Sequence, residues 1–111
     1  MIYMKISDYE SHCVLHPNTQ AITDKTVCEM FLEINKLNKP VVIDMNGVYE
    51  CVNDFFRMFE MFSNLTILNV DSVILSTIYL TGFDKFVTIY EDDISFEEKS
   101  RTLINRRLNL V

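Results

Sequence analysis

The sequence predicts a single α/β domain over residues 1–111, a mixed sheet wound with βα crossovers in the order ββαβαβαβα. Three observations lead there. The short runs Val41-Val42-Ile43 and Leu65 to Val70 are almost wholly apolar, the pattern of strands covered on both faces in a mainly parallel sheet. Between and beyond them lie segments whose apolar residues recur at helical spacing. The opening residues instead alternate apolar and polar side chains before a second short apolar run, which adds an antiparallel strand pair. Strands that alternate with helices imply right-handed crossovers.

Each element has its own signal. Ile2 to Ile6 alternates, Ser7 to Ser11 supplies turn formers, and Cys13-Val14-Leu15 is the second strand. Past Pro17-Asn18, Val27, Met30, Phe31, Ile34 and Leu37 share one helical face, with Thr23 or Asp24 as the cap and Lys39-Pro40 as the stop. Val41 to Asp44 is the central strand, ended by Asn46-Gly47. Asn53-Asp54 then caps a helix from about Phe55 to Ser63. After the strand Leu65 to Val70, Asp71 caps a helix through Ile74, Leu75 and Ile78 that stops at Gly82. Phe86 to Tyr90 is the last strand. Ser95 and Glu98 form a capping box for a final helix with Phe96, Leu103, Ile104 and Leu108 on one face.

Composition narrows the functional classes. A 49% apolar content with only two glycines and two prolines predicts a packed core rather than a disordered chain. A net charge of −6 repels nucleic-acid backbones and anionic lipid surfaces, so neither is an expected partner. The basic cluster Arg101, Arg106 and Arg107 falls near the C-terminus, where cations meet the negative end of a helix dipole. Cys13, Cys28 and Cys51 are widely spaced and odd in number, which points to a reducing, cytoplasmic setting without disulfides or a zinc site. No apolar run approaches the length of a bilayer span, so neither secretion nor membrane insertion is expected.

Catalytic signatures are sparse. A phosphate cradle needs several glycines so that backbone N–H groups can approach the ligand, and Gly47 and Gly82 are too few and too far apart. His12 and His16 flank a strand at a spacing that puts them on one face, read here as the polar face of an edge strand rather than a metal site. Asp44 ends an apolar strand as a phosphoacceptor would, yet the acidic partners that would hold magnesium are missing after the first strand. Asp44 is therefore expected to be solvated or to cap a turn. Glu91-Asp92-Asp93 lacks the alternating ligands and central glycine of a calcium loop and reads as a helix-start charge cluster. No catalytic residue, metal or cofactor is expected.

The stretch from Val41 to Phe56 is the most informative. It resembles the core of STAS domains (sulphate transporter and anti-sigma factor antagonist), in which a hydrophobic strand ends in Asp-Leu-Ser-Gly-Val and the segment Asp-Ser-Ser-Gly-Leu opens the next helix. Matching on Asp44 and Gly47 places Val52, Asn53, Asp54, Phe55 and Phe56 on that second segment. Downstream, Leu65 to Val70, Leu80 to Phe86 and Ile89 to Asp92 are similar to the family's later strand, helix end and closing strand.

That resemblance implies a non-catalytic regulatory domain that docks onto a protein. In antagonists of this family the partner is an anti-sigma factor that is also a GHKL-type serine kinase, and phosphorylation of a serine at the helix start releases the complex. Asp54 stands at that phosphoacceptor position, with Phe55 in place of the neighbouring glycine. A serine kinase cannot modify an aspartate, so the switch is either fixed in a phosphate-like state or lost, and Asp54 as a plain cap accounts for the residue equally well. The partner-binding residues implied are Val52, Asn53, Asp54, Phe55 and Phe56. An alternative within the family is an accessory subunit that binds the ATPase of an ABC transporter of the phospholipid type. An alternative outside it is a small ligand-binding domain or an unrecognised enzyme using the same strand ends. Phe55, Phe56, Met58, Phe59, Met61 and Phe62 make the helix apolar around most of its circumference, so its excess is covered by neighbouring helices, a partner or a second copy in a homodimer.

Overall fold

The computed structural model describes residues 4–90, which form an α/β domain with a five-stranded mixed sheet and three α-helices. Strands β1 (Lys5–Asp8) and β2 (Cys13–His16) pair antiparallel, and the Tyr9 N–H donates to the His12 carbonyl at 2.9 Å to close the turn between them. The hairpin turns later than the alternation predicts, because Ser7 and Asp8 stay in the ladder opposite Val14 and Cys13. Asp8 is held there by Lys39 Nζ at 2.7 Å and by the Cys13 thiol at 3.3 Å.

Strands β4 (Val41–Asp44), β6 (Leu65–Leu68) and β7 (Thr88–Tyr90) extend the sheet in the order β1-β2-β4-β6-β7, every pair after the first being parallel. The register sets Ile6, Leu15, Ile43, Ile67 and Ile89 side by side across all five strands. Residues two apart on a strand share a face, so Val41 and Leu65 extend this apolar row. Helix α1 (Asp24–Lys36), helix α2 (Asn53–Met61) and helix α3 (Ser72–Thr81) bury their apolar residues against that same row in one continuous core. Val42 and Leu68 are buried too, but alternation turns them toward the opposite face and they stand outside this cluster.

Local chemistry sets the helix ends. Thr23 caps α1 reciprocally with Thr26, each side-chain oxygen accepting from the other's backbone N–H. The Asp71 carboxylate accepts from the Val73 N–H at 3.1 Å, and Gly82 closes α3 with a φ of 80° that a side chain would resist. A 3-10 turn, Phe83–Lys85, then leads into β7.

Two further features depart from expectation. A second, two-stranded parallel sheet joins β3 (Ala21–Ile22) to β5 (Glu50–Cys51), each too short to show any periodicity. Strand β2 lies inside the main sheet, between β1 and β4, so His12 and His16 do not belong to an edge strand. The helix expected from Ser95, with the acidic triplet and the three arginines, lies outside the described residues. Among those described, no helix is long and apolar enough to cross a membrane.

Candidate functional site

The small sheet decides where the start of α2 sits. Strand β3 runs directly into α1 and β5 into α2, and the pairing of Ala21 with Glu50 and Ile22 with Cys51 holds the two helix starts side by side. Three further bonds secure the junction. The Val52 N–H donates to the Ile22 carbonyl at 3.0 Å, and the Tyr49 and Glu50 N–H groups both donate to the Gln20 carbonyl, at 2.8 and 3.2 Å. The loop from β4 reaches this position through a turn in which the Val48 N–H bonds the Met45 carbonyl and Gly47 takes a φ of 83°. The segment singled out by the sequence is thereby built onto a rigid support.

Its five residues separate into two groups. Val52 is half-buried, and Asn53 and Asp54 are exposed at the tip. Phe55 and Phe56 are only 0% and 2% exposed, so they cannot form part of a docking surface as the sequence alignment implied. Helical spacing explains the correction: Phe55, Phe56, Met58 and Phe59 fall on the stripe that faces the sheet, whereas Asn53, Asp54 and Arg57 fall outside it. Phe55 packs edge-on against Phe59 with ring centres 5.3 Å apart, and Phe56 stacks on Phe83 at 6.0 Å, which fixes the tip from beneath.

The cap also differs from expectation. Val52 occupies the N-cap position and makes no side-chain cap bond, so neither Asn53 nor Asp54 is the cap; both are the first residues of the helix. Asp54 still sits where a negative charge meets the positive end of the helix dipole. Its carboxylate lies 3.5 Å from the Arg57 guanidinium one turn along.

Beside the tip runs a groove of about 480 Å³ between α1 and α2. Val27, Cys28, Phe31 and Leu32 form one wall, Met58 and Met61 the other, and Asp54 and Arg57 are the charged groups on its lining. Leu32 and Met61, 59% and 63% exposed, stand on opposite walls. The excess apolar surface expected of α2 is therefore concentrated at Met61, since its phenylalanines near the tip are inside.

A polar cluster that sequence reasoning missed lies at the carboxyl ends of β2, β4 and β6. The Asp44 Oδ1 atom accepts from the Asn46 N–H and from the Asn69 side-chain amide, both at 3.0 Å. The His16 Nδ1 atom lies 3.3 Å from Asp44 Oδ2. Asp44 thus caps a turn as expected, but it is mostly shielded from solvent and also ties three strand ends together. The only sequence signal for this was that His16 and Asp44 lie at the ends of apolar strands, and which ends become neighbours, with Asn69 just past β6, depends on the strand order. Among the described residues, no group of three or more His, Cys, Asp and Glu side chains is placed to hold a metal ion.

Three thiols differ in environment. Cys28 is exposed on the groove wall, Cys51 is partly covered, and burial pushes its pKa up to about 11. Burial, and then the hydrogen bond to Asp8, also raise the Cys13 pKa above its ordinary value.

No family model matches the chain, and no curated protein matches it significantly.

Proposed function

We propose that this chain is a STAS-like regulatory domain of the cytoplasm that works by docking the exposed start of α2 onto a protein partner, and that it carries out no reaction of its own. The observation that carries the reading is the tip itself. Asn53 and Asp54 project from a helix start that is pinned from the side by β5 on β3 and from below by Phe55 and Phe56. Precise placement of polar side chains on a rigid, exposed support is what recognition of a macromolecule requires. An antiparallel first strand followed by parallel strands in simple sequential order also supports the likeness, as does a glycine turn between Asp44 and the helix.

In this reading the partner is an anti-sigma factor of the GHKL-type kinase class, and Asp54 provides a fixed negative charge where relatives would carry a phosphorylatable serine. The carboxylate has one charge, where a phosphoserine carries about −1.5 to −2. It therefore falls short of the charge that releases the complex, and the partner stays docked.

Affinity capture on wild-type protein and on Asp54→Arg, followed by mass spectrometry, tests the proposal. The expected result is a GHKL-type kinase retained by the wild type and lost from the variant, with both proteins folded by circular dichroism. Recovery of a transporter ATPase would select the accessory-subunit alternative. A small metabolite without protein would shift the site to the strand ends around Asp44. Equal retention by both proteins would remove the α2 tip as the contact.

A further inference from the structure

We propose that the face of the sheet turned away from the three helices is the docking surface for this chain's own segment 95–108. This goes beyond the docking reading of the α2 tip and does not depend on it. Burial is the starting point. Val42 and Leu68 are 2% and 3% exposed, yet they leave the sheet on the side opposite the row against which all three helices pack. Among the described residues no helix lies over them. Apolar side chains on a bare sheet face would meet water, so their burial calls for a second layer.

The apolar positions on that face form a diagonal. The register sets Val14 beside Val42, and one row further along the strands it sets Leu68 beside Tyr90. The other positions of these two rows are polar: Ser7, Thr66 and Thr88 in the first, Lys5, His16 and Asp44 in the second. From β2 to β7 the diagonal is roughly 16 Å long, by the ordinary strand spacing and rise. A helix from Phe96 to Leu108 would extend roughly 18 Å, enough to lie along it.

The occupant follows from where the chain goes. Strand β7 ends at Tyr90, which is one end of the diagonal. Residues 91–94 give the chain length to turn over the carboxyl edge of the sheet, and the capping box of Ser95 and Glu98 then opens the stretch that carries Phe96, Leu103, Ile104 and Leu108. Laid back against the direction of β7, that stretch meets Leu68 first, then Val42, then Val14. Charge favours the same placement. Residues 95–111 hold four Lys and Arg against two Asp and Glu, whereas residues 1–94 hold six against fourteen, so the segment is drawn to the rest of the chain.

Methyl and aromatic NOE spectroscopy on the full-length wild-type chain tests the inference. Cross-peaks are expected from the Val42 and Leu68 methyls to the Phe96 ring and to the Leu103 or Ile104 methyls. Cross-peaks from those methyls to residues 1–3 instead, cross-peaks seen only between differently labelled copies in a mixed sample, or none to residues 95–108 would each overturn it. A pair of variants gives an independent measure. Leu103→Asp and Asn105→Asp add the same charge to opposite sides of the expected helix. Leu103→Asp is expected to speed amide exchange across β4 and β6 about tenfold or more, and Asn105→Asp to leave it unchanged. Equal responses from the two variants would sink the proposal, and the wild-type cross-peaks decide it if Leu103→Asp fails to fold.

Discussion

His16 and Asp44 end neighbouring parallel strands with Nδ1 and Oδ2 3.3 Å apart, and the other oxygen of Asp44 accepts from both the Asn46 N–H and the Asn69 side chain. One carboxylate thus joins the ends of β2, β4 and β6 at the edge where the loops begin. Asn69 follows β6 with a φ of 57°, a conformation that asparagine tolerates better than most residues.

Asp44→Ala is therefore expected to cost about 1–3 kcal/mol, because it strips the acceptor from the part-buried Asn69 amide as well as from the exposed Asn46 N–H. Asp44→Asn keeps an oxygen for the Asn46 N–H and should lose less. Urea unfolding monitored by circular dichroism measures both. A loss from Asp44→Ala no larger than the roughly 0.5 kcal/mol of an ordinary surface substitution would show that the cluster does not support the fold.

Helix α2 offers a sharper contrast. Phe59 is 1% exposed and packs on Phe55 and Phe56, whereas Met61, two residues on, is 63% exposed. Phe59→Ala should cost about 3–5 kcal/mol through lost burial and the cavity it leaves. Met61→Ala should stay within about 0.5 kcal/mol of wild type. Similar losses from the two substitutions would mean that the helix is rotated from the orientation described.

The same contrast shows what the sequence could and could not reveal. Strands β4 and β6 were legible because both of their faces are covered, which requires apolar runs such as Val41-Val42-Ile43. The stop at Gly82 was legible, and the cap was narrowed to Thr23 or Asp24, of which Thr23 is the one, because each depends on local bonds or local φ. The division of the tip into exposed Asn53 and Asp54 and buried Phe55 and Phe56 depends on how the helix is turned toward the sheet. The polar residues Asn53, Asp54, Arg57 and Glu60 mark the outward side of the helix, a periodic signal that matching a five-residue segment passes over. Strands β3 and β5 were invisible since two residues carry no period, and the His16–Asp44–Asn69 cluster arises only once strands distant in sequence become neighbours.

A pH-dependent prediction comes from the hairpin. Lys39 Nζ donates at 2.7 Å to Asp8 Oδ1 and at 2.7 Å to the Tyr9 carbonyl, tying the turn to the segment before β4. The Lys39 hydrogen bond, followed by that of the Cys13 thiol and the Lys39 charge, lowers the Asp8 pKa below its ordinary 3.8. The Asp8 hydrogen bond likewise raises the Lys39 pKa above 10.5. A depressed carboxylate pKa contributes stability that is complete above the unfolded value and disappears as pH falls through the folded one. A raised amine pKa contributes stability that is complete below its unfolded value and disappears as pH rises through the folded one. The pair's contribution is thus level between about 4 and 10 and declines beyond both limits. Both groups are solvent-accessible, so salt should reduce the effect. An NMR titration of the Asp8 carboxyl is expected to give a midpoint below 3.8 in the wild type that moves upward in Lys39→Met. An Asp8 midpoint unchanged by that substitution would mean that the lysine does not hold the turn in solution.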